Sequence, residues 1–416
     1  MLNSFIYYKD GNLFVENVKV EDIVKEYGTP IYIYSANSFK NRFNNIKGVL
    51  PADALIAYSI KSNSNVNIIK LLKEEGAGAD IVSRGELYRA KLAGIDGSKI
   101  VFSGVGKSYD DIKDALEYDI LMFNIESLPE AELINKIASS MNKKARVSIR
   151  VNPDVDADTH HHITTGKKEN KFGISYEDAV NVYKYIRDNL KNLEIIGIDT
   201  HIGSSILKVN PYKEAIGKLV NLIEDLKKEG IKLEYFDIGG GLGIRYREED
   251  KDIDMKEWGK TITDLVGTYN LKLIVEPGRY ISGNSGIFVS KVLYMKKTAH
   301  KNFIIVDGAM NDLVRPAFYD AYHKIDYITI KDRKNIIADV VGPICESGDY
   351  FAKERNIGEP VDDNEYIVIF SAGAYGYVMS SNYNSRPKSP EVLVEGDSVK
   401  LVKRRETLED LIRDEL

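Results

Sequence analysis

Residues 55–75 read LIAYSIKSNSNVNIIKLLKEE. The opening run is apolar and short, as a buried strand is. Ser62-Asn63-Ser64-Asn65 then forms a polar lip that suits a helix cap. An amphipathic helical stretch follows at 67–75. Strand, polar loop and helix together make one unit of a parallel sheet with crossover helices. Lys61 stands where the strand gives way to the loop. Lysine is seldom buried unless it is paired or working, so this placement points to chemistry.

The same unit recurs along the chain. Strand-like runs lie at 55–60, 79–83, 100–104, 121–124, 145–151, 195–201, 235–239 and 271–276. Helical stretches fall between them at 67–75, 85–93, 109–117, 130–139, 177–189 and 212–228. The last puts Ile216, Leu219, Val220, Ile223 and Leu226 on one face. Eight βα units fit a closed (β/α)8 barrel of the TIM type, ordinarily ~250 residues long. Beyond 285 the helical rhythm fades into short strand-like runs at 286–295, 303–306, 335–341, 366–371, 392–394 and 399–402. Residues 4–18 alternate around Lys9-Asp10-Gly11-Asn12, a hairpin signal. The expected organisation is an α/β barrel over 25–284. A mostly β domain is formed by the C-terminal part, 285–416, with the N-terminal hairpin, 1–24.

Composition narrows the function. The chain has 416 residues, 29% charged and 43% hydrophobic, with a formal net charge of -6. No Lys/Arg block or basic stripe stands out, so no nucleic-acid partner is expected. No run approaches the ~18 apolar residues of a membrane span. The first residues carry no charged start and no long apolar stretch, so no secretory signal is expected. The final Arg413-Asp414-Glu415-Leu416 resembles a retention tail, which needs such a signal to be read. Cys345 is the single cysteine. It allows no internal disulfide, and a reducing, cytoplasmic setting is expected.

In such a barrel, chemistry gathers at the C-terminal ends of the strands. Four unusual features land there. Lys61 follows the first strand and His201-Ile202-Gly203-Ser204 the sixth. Gly239-Gly240-Gly241-Leu242-Gly243 follows the seventh, and Glu276-Pro277-Gly278-Arg279 the eighth. The glycine run suits a phosphate cradle, because backbone N–H groups can approach an anion closely there. It is equally readable as a flexible turn. It is not a dinucleotide fingerprint, since Ile244 stands where the third glycine belongs. Ser103-Gly104-Val105-Gly106-Lys107-Ser108 ends like a P-loop, but Val101 replaces its first glycine. His201 reads either as a satisfied core histidine or as a flat ring that stacks on a planar cofactor. Glu276 reads either as a structural partner of Arg150 or Arg279, or as a carboxylate that holds a proton on a heterocyclic nitrogen. Adjacent His160-His161-His162 do not converge as metal ligands do, so no metal is expected. A reactive lysine, phosphate cradle, stacking ring and nitrogen-pairing carboxylate together describe a pyridoxal phosphate site. Lysine forms a Schiff base with the aldehyde, and desolvation favours its neutral, attacking amine.

The chain resembles the barrel-type pyridoxal-phosphate decarboxylases of basic amino acids, over nearly its whole length. The resemblance rests on Tyr58-Ser59-Ile60-Lys61-Ser62-Asn63, Gly78-Ala79-Asp80 and the His201, Gly239 and Glu276 stretches. It extends to Cys345-Glu346-Ser347-Gly348-Asp349, Gly373-Ala374-Tyr375-Gly376 and the loop from Thr165 to Gly173. Relatives usually carry alanine at the positions of Ser59 and Ser62. The resemblance implies that Lys61 holds the cofactor, His201 stacks on its ring and Glu276 pairs with the ring nitrogen. Phosphate contacts are implied for Ser204, Gly239, Gly240, Gly241, the turn Pro277-Gly278-Arg279 and Tyr375. Asp80 and Arg150 are expected around the lysine. Cys345 is implied as the proton donor to Cα. It and Glu346 are implied to reach the site of a neighbouring subunit, which makes a homodimer with shared active sites.

The resemblance also implies the amino-acid substrate, and charge is consistent with it. Diaminopimelate ends in a carboxylate as well as an ammonium, whereas ornithine and lysine end in an ammonium alone. Arg279 and Arg315 can grip a carboxylate with forked hydrogen bonds. Tyr319 and Tyr375 can add hydroxyls, and Glu346 can take the distal ammonium. The implied activity is decarboxylation of meso-2,6-diaminopimelate to L-lysine and carbon dioxide, the last step of lysine biosynthesis. An ornithine, lysine or arginine decarboxylase is the alternative. A non-catalytic relative would tend to lack Lys61 or Cys345, and no tyrosine motif of a two-base racemase is present.

Overall fold

Leu55–Ser59 forms strand β1, and all but its first residue are buried. The computed structural model describes residues 2–155, 172–362 and 364–416. The chain divides into two compact units. One is Arg42–Ile244 with Lys251–Tyr280; the other is Met1–Asn41 with Arg245–Asp250 and Ile281–Leu416.

The first unit holds the barrel. After β1 come β2 (Gly78–Ile81), β3 (Ile100–Phe102), β4 (Met122–Ile125) and β5 (Ala145–Asn152). Then follow β6 (Leu193–Asp199), β7 (Tyr235–Asp237) and β8 (Lys272–Val275). Every neighbouring pair is parallel, and β8 returns to β1 through Ile274↔Leu55 and Val275↔Ile56. The eight strands therefore close into a barrel, and the short strand Ile174–Ser175 pairs with the end of β5. The barrel interior is lined by Ala57, Val101, Met122 and Ile274, all with no exposed surface. These eight strands are the eight that the sequence pattern predicts.

Polar caps start most of the crossover helices. Asn65 caps Val66–Glu74, as expected of the polar lip, and Ser83 caps Arg84–Ala93. Ser108 and Asp111 make a reciprocal capping box on Tyr109–Glu117. Each cap supplies an acceptor to an N–H that the helix leaves unpaired. Helix Asn210–Lys228 buries Ile216, Leu219, Ile223 and Leu226, with Val220 at the edge of that face. Among the described helices not read from sequence are Ala36–Lys47 and Met255–Gly267.

The second unit is mostly β. Its main sheet runs Tyr350–Gly358, Asn335–Val341, Asn302–Val306, Gly286–Lys297, Ile31–Ser35, Glu391–Glu395 and Ser398–Lys403. A branch joins Ile325–Tyr327 and Tyr366–Ile369 to the strand Gly286–Lys297. That long strand shifts register between Val292 and Tyr294 and changes partner there. The N-terminal hairpin pairs Lys9 with Asn12 around Asp10 (φ 49) and Gly11 (φ 73), a turn that favours Asp-Gly. Ile31–Ser35 falls inside the sequence-expected barrel range, yet it pairs with Gly286–Val289 and Glu391–Val394. An apolar run buried on both faces does not name its sheet, and its partners lie far along the chain. Tyr350–Gly358 was also missed. Bulges in its pairing with Asn335–Val341 break the alternation that marks a strand.

Two glycines test the packing of the barrel helices. A methyl at Gly217 would meet nothing within 4 Å, whereas one at Gly259 would lie 2.4 Å from the Val49 carbonyl oxygen. Gly217→Ala should therefore raise stability by about 0.5–1 kcal/mol through helix propensity. Gly259→Ala should lower it by about 1–3 kcal/mol through overpacking. Urea unfolding of both variants checks the opposite signs.

Candidate active site

The rim at the C-terminal ends of the strands is built from β1 outward. Lys61 sits in the single helical turn Ile60–Ser62 that ends β1. Its Nζ lies 3.0 Å from Oδ2 of Asp80 on the neighbouring β2, whose side chain has no exposed surface. The Ser59 hydroxyl donates to the same oxygen at 2.6 Å. Asp80 thus holds the amine in place, and Ser59 in turn holds Asp80.

His201 follows β6 and the glycine turn follows β7. The Gly240 N–H donates to His201 Nδ1 at 3.1 Å, which makes Nδ1 the acceptor and places the ring proton on Nε2. The residue is half-buried, and the surrounding barrel atoms push its pKa well below the ordinary histidine value. Burial is the main cause, with the positive charges of Arg150 and Lys61 adding to it. The ring is therefore neutral at neutral pH. Gly239 (φ 66) and Gly241 (φ 95) adopt backbone angles that favour glycine. A methyl at Gly239 would lie 2.5 Å from the Thr200 carbonyl oxygen, and one at Gly240 2.3 Å from that of Glu276. The Gly239 N–H is taken by Asp237 Oδ1 at 2.9 Å. Two of the three expected cradle amides thus bind within the site, and close approach is what demands glycine there. Ser204 and Arg279 meet at 3.1 Å.

Glu276, straight after β8, is 6% exposed. It accepts from Ser103 Oγ at 3.0 Å and Asn124 Nδ2 at 3.3 Å. The structural pairing with Arg150 or Arg279 is not what forms. Arg150 pairs with Glu126 at 2.8 Å and Arg279 with Ser204. Nor does Arg150 contact the lysine; its charge reaches the site only through space. Beneath Glu276 lie Asp237 and Asp199, and one oxygen of each of the three falls within 4.8 Å of the others. Burial pushes the proton affinity of all three upward, and mutual repulsion adds to it at Glu276 and Asp199. Asp237 is raised to about 6, with Gly239, Asn124 and Glu276 hydrogen bonds pulling the other way. Protons shared among the three are the natural counter-charge. Among the described residues, this is the group whose carboxylates converge closely enough for a metal ion. The histidine triplet 160–162 and most of the 165–173 loop lie outside the described residues.

The remaining expected residues belong to the other unit. Arg315 opens the short helix Arg315–Tyr319 and is 7% exposed, and Tyr319 ends it half-buried. Cys345 and Glu346 are exposed on a loop tied by Asp349, which accepts from Ile344 N and Met310 N at 2.7 Å each. Tyr375 is half-buried at φ 55.

Residues 36–283 match the family described as pyridoxal-dependent decarboxylase, pyridoxal binding domain. Diaminopimelate decarboxylase of Aquifex aeolicus is 49% identical, over 100% of this chain and 98% of that one. The chain belongs to the diaminopimelate decarboxylase family. Two solved structures of the family agree along the whole fold. The Helicobacter pylori diaminopimelate decarboxylase complexed with L-lysine has a TM-score of 0.91 and 42% identity, covering 95% of this chain and 99% of that chain. That of M. jannaschii in complex with L-lysine has a TM-score of 0.94 and 34% identity, covering 100% and 98%.

The rim fits the cofactor of this decarboxylase family. It presents an amine at Lys61, a neutral ring at His201, a close glycine turn with Ser204 and Arg279 for a dianion, and a proton-hungry carboxyl at Glu276. Sequence reading missed Ser103, Asn124, Asp199 and Asp237. A signal was present for the last two. Each stands two residues before a named strand-end residue, His201 or Gly239, and so shares its face of the strand.

Asp237 gives the site a pH signature. A carboxyl with a raised folded pKa contributes stability that is full below its unfolded value of 3.8 and is lost as pH rises through about 6. With cofactor removed, Asp237→Asn should gain on wild type by about 1 kcal/mol between pH 5 and pH 7.5. Urea unfolding at the two pH values measures that difference.

Proposed function

We propose that this chain converts meso-2,6-diaminopimelate to L-lysine and carbon dioxide with pyridoxal phosphate, as the last step of lysine biosynthesis in the cytoplasm. The observation that carries the reading is the meeting of Lys61, His201, Gly239–Gly241 and Glu276 on one barrel rim, in a chain 49% identical to a diaminopimelate decarboxylase. Bound pyridoxal phosphate supplies the electron sink for the pair released when the Cα–carboxylate bond breaks.

The residues have distinct tasks. Lys61 holds the cofactor covalently, and Asp80 keeps its amine aimed at the rim. His201 stacks on the ring as a neutral imidazole, so it adds no charge that would repel the ring's own. Glu276 pairs as a carboxylate with the ring nitrogen and keeps it protonated, the positive charge there offsetting the repulsion from Asp237, Asp80 and Asp199. Ser204, the turn 239–241, Pro277, Gly278, Arg279 and Tyr375 hold the phosphate. Arg279, Arg315, Tyr319 and Tyr375 grip the distal carboxylate, and Glu346 takes the distal ammonium. The carboxylate is lost at the D-centre. Cys345 returns a proton from Sγ to Cα, so carbon dioxide leaves as one proton is taken up. Cys345 and Glu346 act in the site of a neighbouring subunit within a homodimer, as befits exposed side chains on a pinned loop.

Carbon dioxide release from a panel of amino acids tests the substrate. Release from meso-diaminopimelate should exceed that from ornithine, lysine or arginine by about 10³-fold or more, since buried arginines left without a carboxylate reject the analogue. Faster release from ornithine overturns the reading in favour of the polyamine-type alternative. Lys61→Ala should abolish both turnover and the visible absorption of the bound cofactor. Mixing Lys61→Ala chains with Cys345→Ala chains, each inactive alone, should restore up to about a quarter of wild-type activity if the sites are shared.

A further inference from the structure

We infer that His323 is a positioning residue for Arg315, which it holds by the Nε edge so that the terminal fork of the guanidinium faces the distal carboxylate of the substrate. The inference deepens the proposed function and rests on Arg315 binding that carboxylate.

The chain brings the two residues together by a short return. The helix Arg315–Tyr319 ends at Asp320, whose φ of 50 turns the backbone, and the chain comes back to His323. There the Lys324 carbonyl accepts from Phe370 N at 2.9 Å, beside the strand Tyr366–Ile369. His323 Nδ1 lies 2.8 Å from the Phe370 carbonyl oxygen. A carbonyl oxygen only accepts, so Nδ1 carries the proton. The lone pair of a neutral ring is then on Nε2, and Arg315 Nε donates to it at 3.3 Å. A proton on Nε2 would face the guanidinium, so the contact requires the neutral ring. His323 has no exposed surface, and the Tyr246 ring packs edge-on to it at 5.5 Å and 84°. The same Tyr246 ring lies 5.6 Å from the Arg315 guanidinium carbon. Arg355 Nη1 donates to the His323 carbonyl oxygen at 2.9 Å, which fixes the backbone as well.

The chemistry of the acceptor is what makes this a positioning device. A carboxylate in the place of His323 would orient Arg315 but cancel its charge. A neutral imidazole orients the guanidinium without itself neutralising its charge. Arginine recognises a carboxylate through a planar fork, so the angle at which that fork is held sets affinity and selectivity. A histidine buried only to fill the core would leave substrate affinity untouched when its Nε2 contact is removed.

The test uses the holoenzyme and two amide variants. In His323→Asn the amide can still donate to the Phe370 carbonyl but stops short of Arg315. In His323→Gln the longer side chain brings an oxygen to where Nε2 stood. Loss of a hydrogen bond to a charged group predicts a 10- to 100-fold rise, roughly, in KM for diaminopimelate and in the inhibition constant of L-lysine for His323→Asn. Its kcat should stay within about threefold, and inhibition by cadaverine, which has no carboxylate, should not move. His323→Gln should recover most of the loss. Unchanged KM in His323→Asn overturns the inference, as does a fall in kcat alone or an equal defect in His323→Gln. If His323→Asn does not fold, His323→Phe takes its place with the same expected and overturning results. Arg315→Met separates the two levels. If it leaves KM and L-lysine inhibition unchanged, the reading of Arg315 itself fails; if it weakens both while His323→Asn does not, only the role of His323 falls.

Discussion

Two residue pairs, Leu55↔Ile274 and Ile56↔Val275, close the barrel. Without them β1 and β8 would be open edges with unpaired backbone groups. With them, the strand that leads to Lys61 lies beside the strand that leads to Glu276. The alignment carries past the strands themselves, where Ser59 N donates to the Pro277 carbonyl at 3.2 Å. Because all eight strands run parallel, every strand end reaches the same rim. Lys61, His201, the glycine turn and Glu276 are thus placed by one closed hydrogen-bonded frame. Each needs only to be the right residue one or two positions beyond its strand.

The interior below that rim is unusually polar for a barrel core. Asp80, Asp199, Asp237 and Glu276 are all nearly inaccessible. Burying four carboxylates as anions would be costly. Amide and hydroxyl donors from Asn124, Ser103, Ser59 and Gly239 offset part of that cost, and shared protons offset more. Burial and the repulsion among these acids raise the proton affinity of Glu276 at the rim. The same network reaches the glycine turn, since Asp237 touches both Gly239 and Glu276. A change in one part of the site is therefore felt in the other.

In the β unit, buried carboxylates serve a different end. Asp312 accepts from Ala309 N at 3.0 Å and Ser389 Oγ at 2.6 Å, three residues before Arg315. Asp349 links Met310 to Ile344, beside Cys345. Irregular backbone is thus held by side-chain acceptors where no strand or helix can hold it. That is how loops carry residues with defined positions.

The barrel was legible because its signal is local and repeated. Each strand, loop and helix in turn has its own apolar period, and the special residues fall at the loop starts. The polar cap at Asn65 and the Asp-Gly hairpin were legible for the same reason. Strand Ile31–Ser35 had no such signal, for an apolar run buried on both sides reads the same in any sheet. The acids Asp199 and Asp237 looked like ordinary strand residues until their neighbours across the barrel were known. Residue by residue, the chain determined that Lys61, His201 and Glu276 sit at strand ends. Only the tertiary structure decided what they touch: Asp80 for the lysine, Gly240 for the histidine, and Ser103, Asn124 and Asp237 in place of an arginine for the glutamate. Hydrogen-bond partners across a barrel depend on strand register and closure, which are properties of the whole sheet and of no single segment.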